Sequence, residues 1–429
     1  MNEKIEAILD IVIDEIRKDI PDLKSVIVGG SFGRKEGSVV VDREGIHPIN
    51  DFDVFAITEK PYPEEVLNRI GLRASKKIGK KGIISFKRFD KRKLADLRKY
   101  FYVDLKAIPL EKLKKLPPMI RYYELKNASL TVYGDDVYDK FPDFKIEDLP
   151  LAEGIRLLLN RMSHLIEFFF PEFVTKEKNE IAHQHFLMHA IKIFNDSAGA
   201  LLLLNGKYVP TYVQRAQMIV KTFDKDFPQL KKVMPSYTKR VREFSNLKVK
   251  MDFSAYSNKD FELWTDSRFY IGEVAKYYVS KFTGKDIWDW DEFSKVFYRD
   301  VVKNYYKPYL MYSFRIPGFV AAVLSPFVQY YLNILYFLRI KREFGRVHLP
   351  CLLKIRSPEL TFFSAAPLII FSLKDDGTVD LEMLERGRKL LGKTFPVDAK
   401  YKGADIKYWE EIAHSYANAY ILFAFLKIV

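Results

Sequence analysis

Two aspartates one residue apart, Asp51-Phe52-Asp53, open an apolar run that continues Val54-Phe55-Ala56-Ile57. Side chains two apart on a strand share a face, so both carboxylates point one way and Phe52 points into the core behind them. Paired carboxylates repel unless a cation lies between them, and such oxygen donors suit Mg²⁺ held jointly with substrate phosphates. A third acid stands in Tyr102-Val103-Asp104-Leu105-Lys106, a second strand pattern. Brought alongside the first pair, Asp104 would complete a two-metal site of the kind that drives in-line displacement at phosphorus. Upstream, Ser25-Val26-Ile27-Val28 runs into Gly29-Gly30-Ser31. Glycines at a strand-to-helix turn let backbone N–H groups approach phosphate oxygens, and a helix N-terminus adds favourable partial charge. Ser31 can donate a further hydrogen bond. Arg34 and Lys35 follow, where they could pair with a triphosphate. Singly these features are ordinary: a glycine turn, a charged strand end, an acid seeking a salt bridge. Their order along alternating strands gives the combination its weight.

The surrounding pattern supplies elements to hold them. Ile5, Ile8, Leu9, Val12, Ile13 and Ile16 recur at helical spacing in a segment of mixed charge, which reads as an amphipathic helix and not as a signal peptide. A hairpin is expected around Val39-Val40-Val41 and Arg43-Glu44-Gly45, a helix over Pro63 to Lys77, and strands over Ile83 to Phe89 and Phe101 to Ile108. From Leu151 onward long apolar helices take over, at Glu153 to Phe169, Ile181 to Leu204 (closed by Gly206) and Pro210 to Phe223. The expected fold class is α+β: a mixed-sheet N-terminal domain over residues 1–148, a helical domain over 149–290 completing a cleft, and an aromatic-rich, mainly helical region over 291–429.

The strings Gly30-Ser31, Asp51-Phe52-Asp53 and Asp104 resemble the signature of the DNA polymerase beta-like nucleotidyltransferase superfamily. Gly33-Arg34-Lys35-Glu36-Gly37-Ser38 with Asn50-Asp51-Phe52-Asp53, and Gly154 to Arg161 beyond, look like a subgroup with a GRxEG…NDxD layout. The resemblance covers roughly the first 220 residues. It implies a nucleotidyltransferase-like fold and metal-dependent transfer of a nucleoside monophosphate from an NTP, ATP being the expected donor, to an acceptor hydroxyl, with release of pyrophosphate. By the same resemblance Asp51 and Asp53 bind both metals (Mg²⁺, or Mn²⁺), Asp104 binds the catalytic one, and Gly30 and Ser31 hold the β- and γ-phosphates. A helical-domain lysine, Lys192, would reach the triphosphate, unless it is simply exposed or pairs with Asp196 one turn on. The 19 residues between Ser31 and Asp51 exceed the family's usual gap, and an inserted hairpin accounts for them.

Composition bounds the partners. The net charge of +14 favours polyanions, whether nucleotide phosphates, RNA or an anionic membrane, without choosing among them. One cysteine, Cys351, excludes an internal disulfide framework and fits a reducing cytoplasm. No Walker, kinase or Rossmann fingerprint is present. His183, His185 and His189 form an HxHxxxH pattern without the intervening glutamate of a metalloprotease; a histidine-bearing helix flank near the cleft is the plainer reading, and zinc bound by His185 and His189 the alternative. Tyr305, Tyr306, Tyr309 and Tyr312 stand among Lys303, Lys307 and Arg315; core packing is the plainer reading, and stacking on single-stranded RNA the alternative. Ile316 to Leu338 carries no charge. Pro317, Pro326, Gln329 and Asn333 interrupt it, so two shorter buried helices broken at Ser325-Pro326 are expected, with a membrane-associated element as the alternative. The expected acceptor is a small molecule or sugar. The rival readings are an RNA 3′ end, and a catalytically inactive RNA-binding or membrane-associated scaffold. The sequence does not fix the oligomeric state.

Overall fold

The computed structural model describes residues 3–42, 45–48, 50–82, 100–177, 179–250, 256, 259–399, 403 and 405–424. The strand expected over Ile83 to Phe89 lies outside them.

The first lobe is built from α1 (Glu3–Asp19), β1 (Leu23–Val28), β2 (Val39–Asp42), β3 (Gly45–Pro48), β4 (Phe52–Thr58), α2 (Glu64–Lys77), β5 (Val103–Pro109), α3 (Ile120–Asn127) and β6 (Leu130–Gly134). Four strands form one mixed sheet in the order β5-β4-β1-β6. The β4–β5 pair is parallel, while β1 runs antiparallel to both its neighbours. The strand period of two then sorts the side chains. Phe52, Val54, Ala56, Val103 and Leu105 pack with Leu9, Val12 and Ile16 of α1, and with Leu67 and Ile70 of α2. The other face carries Phe55 and Ile57 in a smaller core with Leu113 and Leu125. Asp53, Asp104 and Lys106 alternate onto that second face. The long gap between Ser31 and Asp51 is filled by the antiparallel β2–β3 hairpin, with Val39 opposite Pro48.

The second region is helical: α4 (Leu151–Glu167), α5 (Glu180–Leu204), α6 (Tyr212–Asp226), α7 (Tyr237–Lys250), α8 (Asp260–Thr283), α9 (Gly318–Phe344), α10 (Pro358–Ser372), α11 (Leu381–Gly392) and α12 (Ile406–Ala424), with shorter helices between. The fold is therefore α+β, a mixed-sheet lobe followed by a helical region. One continuous apolar cluster runs from Ala152 to Leu422, so helices on both sides of residue 290 share a core. Buried Trp264 and Trp409 anchor it, their indole N–H groups donating to Leu165 O (2.9 Å) and Ile369 O (2.7 Å). Gly206, at φ +64°, closes α5 in the left-handed conformation that glycine adopts without strain.

One expectation changes. Ile316 to Leu338 is not a pair of buried helices: α9 is one 27-residue helix with Pro326 inside it. Pro326 lies on the exposed side, where the hydrogen bond it removes does not leave a buried carbonyl unmet. The tyrosine cluster follows its plainer reading of core packing. Tyr305 and Tyr306 are buried and donate to Glu359 (3.1 and 2.6 Å), while Tyr309 donates to Glu153 (2.7 Å).

Glu167, at the end of α4, is buried, and its Oε1 has no hydrogen-bond partner among the described residues. Burial pushes its carboxyl from 4.5 up to about 8, with only Arg161 acting the other way. The folded state therefore keeps a proton that the unfolded chain releases above pH 4.5, and stability falls as pH rises from there towards 8. Glu167→Gln is expected to flatten that decline and to raise stability at neutral pH by up to about 3 kcal/mol. Urea unfolding of both proteins at a series of pH values measures it; parallel curves would refute the buried neutral acid.

Candidate active site

β1 ends by tying itself to the aspartate strand: Gly29 N–H donates to Asp53 O at 2.9 Å. The next residue, Gly30, has φ +57°, and a Cβ built there would lie 1.8 Å from Asp53 Oδ2. Conformation and contact both demand glycine. The helix that follows, Gly30–Gly33, is a single turn, so a helix dipole contributes little, and the backbone N–H groups and Ser31 remain the local donors. On the parallel neighbour, Asp104 pairs in register with Asp53. Asp51 immediately precedes β4. Asp104, distant in sequence from Asp51 and Asp53, thus stands with them at one end of two adjacent strands.

Their electrostatics reflect crowding. Asp53 is raised from the usual carboxylate range by burial and by the Asp51 carboxylate, with Asp104 adding to both; Lys106 and Arg34 oppose the shift. Asp104 is held by Lys106 Nζ at 2.7 Å and does not itself line the cavity. Among the described residues, no three His, Cys, Asp or Glu side chains converge closely enough to enclose a metal ion. The donor chemistry nevertheless suits a hard divalent cation, because Asp51 and Asp53 present oxygen ligands that destabilise each other when both are charged. Asp104 would join them only on exchanging Lys106.

The cavity in front of these residues measures about 390 Å³ and is walled by both regions. Gly29, Gly30, Ser31, Asp51 and Asp53 form one side, and Asn160, Arg161, Lys192 and Lys248 belong to the helices opposite. Eight Lys and Arg side chains line it against five Asp and Glu. Lys192 projects from α5 into this space. Burial and Arg161 lower its pKa, and Asp51, Asp196 and Asp53 act in the opposite sense. Lys248, on α7, is pushed down to about 7 by burial, Lys192 and Arg34. Cations held close together and away from water gain most from a bound polyanion. Binding of a nucleoside triphosphate is therefore expected to raise the pKa of both lysines and to take up protons at pH 8. Titration calorimetry in buffers of different ionisation enthalpy reads that uptake, and Lys248→Met should remove much of it.

Asp196 does not pair with Lys192 as its helical spacing allows. It accepts from Arg161 Nε (2.6 Å) and Arg215 Nη1 (2.9 Å). Those bonds belong to a network that fastens the two regions together. Arg215 also reaches Glu124 and Tyr208 Oη, and Glu124 accepts from Arg34 Nη1 at 2.8 Å. Arg34 completes its bonding with Glu36 (3.2 Å) and lies over the Tyr212 ring. Arg34 thus lines the cavity, but its charge is already committed to two carboxylates, so it shapes the wall more than it offers a free cation for triphosphate. Lys35 is exposed, at φ +60°, and is not a wall residue. The left-handed turn that returns the chain towards β2 directs it to solvent.

Sequence reasoning missed the tie residues Glu36, Asn50, Glu124 and Arg215. Glu36 Oε1 accepts from Val213 N at the first turn of α6 (3.0 Å). Asn50 Oδ1 accepts from Ser38 N (3.0 Å) and from Lys248 Nζ (2.7 Å). The Arg-x-Glu-Gly and Asn-Asp-x-Asp strings held the first two in plain view; their partners lie more than 150 residues away in sequence, at Val213 and Lys248. Of the HxHxxxH residues, His183 Nδ1 bonds to Asp260 Oδ1, while His185 and His189 are buried packing groups: His189 stacks on Phe168 with ring centroids 3.8 Å apart and contacts His164 (3.0 Å). Burial lowers the pKa of His164, His185 and His189, so their rings are neutral at pH 7.

A mixed sheet carrying acids at one end, closed by a helical region that brings lysines to the same cavity, defines the architecture. No protein-family model matches the chain, and no curated protein matches it. Among solved structures, the crystal structure of spectinomycin adenyltransferase AAD(9) from Enterococcus faecialis with ATP and spectinomycin is similar at 14% identity and a TM-score of 0.34. The match covers 63% of this chain and 98% of that one. At that distance the likeness assigns no activity to this chain.

Proposed function

We propose that the protein is a metal-dependent nucleotidyltransferase that moves a nucleoside monophosphate from an NTP, ATP first among them, to the hydroxyl of a small molecule or sugar. The observation that carries this reading is the in-register pairing of Asp53 with Asp104, with Asp51 and Asp53 sharing one cavity wall with Gly30 and Ser31. Asp51 and Asp53 would hold Mg²⁺ or Mn²⁺, with Asp104 joining when Lys106 releases it. When bound, the metal would supply charge stabilisation for the displacement at the α-phosphorus. The chain's own residues do the positioning. Gly30 leaves the backbone bare for phosphate oxygens, and Ser31 Oγ donates to them. Lys192 and Lys248 neutralise the triphosphate from the opposite side, which offsets part of the cost of their own burial. Enclosure by both regions keeps water from competing with the acceptor.

The cavity of about 390 Å³ falls in the range of small-molecule sites. The test is an acceptor search. Purified protein is incubated with each α-³²P-labelled NTP, Mg²⁺ or Mn²⁺, and separate pools of metabolites, RNA and protein. Label entering the metabolite pool, and lost in Asp51→Ala/Asp53→Ala, is the expected result. Label entering only RNA would replace the small acceptor with a 3′ end, and no transfer with any NTP would reject the activity.

A further inference from the structure

Helices α5 and α9 are comparably apolar, with mean hydropathies of 1.3 and 1.4 over their apolar stretches, yet 83% of the first stretch is buried and only 28% of the second. The exposed side of α9 is also chemically inverted. Ser325, Gln329 and Asn333, spaced by four, point into the protein and are buried. Gln329 Nε2 donates to Ser325 Oγ at 3.1 Å, and Asn333 Nδ2 donates to the backbone oxygens of Lys354 (2.9 Å) and Arg356 (2.6 Å). Facing outward are Phe319 (75% exposed), Val323 (65%), Phe327 (70%) and Tyr331 (55%). Leu353 (85%) and Ile355 (62%) are exposed on the loop whose Lys354 O accepts from Asn333 of the helix. A helix of a water-facing surface has the opposite arrangement, and an exposed apolar patch of this extent marks a surface made for another apolar phase.

We infer that this face of α9 and the Leu353–Ile355 loop seat the protein on an anionic lipid bilayer. Charge selects that occupant. No charged residue lies between Gly318 and Leu338, while cations rim the patch at both ends, Lys307 and Arg315 before it and Lys341, Arg342 and Arg346 after it. Lys307, Arg315 and Lys341 have no ion pair with a described residue; Arg342 pairs with Glu343 and Arg346 with Asp398. A two-fold contact between two copies would set these cations against one another, whereas anionic headgroups neutralise them. The geometry selects the mode. α9 is fixed along its length to the rest of the chain, from Ala321 to Ile340, with Tyr336 Oη donating to Ala419 O at 2.8 Å. It therefore lies in the interface with one face immersed and does not cross.

Vesicle flotation of the whole protein tests this, with phosphatidylcholine vesicles and vesicles of phosphatidylcholine mixed with phosphatidylserine, alongside sedimentation velocity without lipid. Flotation with the serine-lipid vesicles, little with phosphatidylcholine alone, and release by salt are expected. Phe319→Ser/Phe327→Ser should weaken partitioning at least about tenfold. Lys341→Glu and Arg315→Glu should weaken it about fivefold each, or more. These side chains are exposed, and an unchanged circular dichroism spectrum separates lost binding from lost fold. No flotation, or flotation insensitive to all these changes, overturns the inference. A lipid-independent dimer that Phe319→Ser/Phe327→Ser dissociates, without flotation, would overturn it too and assign the face to a second copy.

Discussion

Asp53→Asn is expected to lower nucleotidyl transfer by at least ~10³-fold, about 4 kcal/mol of transition-state stabilisation, while the folded protein becomes more stable. The two effects share one cause. Asp53 carries a carboxyl raised by burial and by its neighbours Asp51 and Asp104, so ionising it in the folded state is costly. Asparagine keeps the shape, ends the repulsion and removes the charge proposed to bind the metal. Activity and thermal unfolding of the two proteins, measured at pH 8, check both halves. A variant that loses activity and also unfolds earlier would show that Asp53 is a structural salt-bridge acid. Retained activity would remove it from the site altogether. Strain kept where chemistry happens, at a cost in stability, is the pattern expected of an active site.

Arg215→Met should destabilise the protein by about 3–5 kcal/mol, the range for breaking a buried ion pair from one side. Arg215 is almost wholly buried, and its guanidinium meets Asp196, Glu124, Tyr208 Oη, Val209 O and Pro210 O. Removing it leaves two carboxylates short of a cation; Asp196 keeps Arg161, and Glu124 keeps Arg34. Because Glu124 belongs to the first lobe and Arg215 to the helical region, the loss also loosens the alignment of the cavity walls. Urea unfolding measures the stability, and adding Glu124→Gln to Arg215→Met should recover part of it, since the stranded charge is then gone. A double variant no more stable than the single one would show that the Glu124–Arg215 contact carries little energy.

The strand-borne half of the site was legible because a period of two converts spacing directly into facing. Asp51-Phe52-Asp53 in an apolar run already implied two acids outward and Phe52 inward, and Phe52 is buried in the core shared with α1 and α2. Gly30 was legible as a turn glycine, but not the left-handed conformation pressed against the Asp53 carboxylate that demands it. Register was not legible. Nothing local in Tyr102 to Lys106 says that Asp104 will lie beside Asp53, because pairing between strands some fifty residues apart depends on the whole sheet. The network from Arg34 to Asp196 was hidden for the same reason, and so Arg34 read as a free phosphate ligand when two glutamates claim it. In α9 the sequence misled because composition does not say which face of a helix turns inward. An uncharged segment broken by Pro, Gln and Asn reads as buried pieces, but the polar residues turned inward to find partners and left the aromatic ones outside.

Nucleotidyl transfer differs from phosphoryl transfer in which phosphorus is attacked, and one pair of labels separates them. With the acceptor in hand, ATP labelled at the α-phosphate and ATP labelled at the γ-phosphate are supplied in parallel reactions. The α-label should enter the acceptor and the γ-label should leave as pyrophosphate, both in amounts that Asp53→Asn abolishes. A γ-label found on the acceptor, with the α-label retained in ADP, would contradict the assignment of this cavity to nucleotidyl transfer.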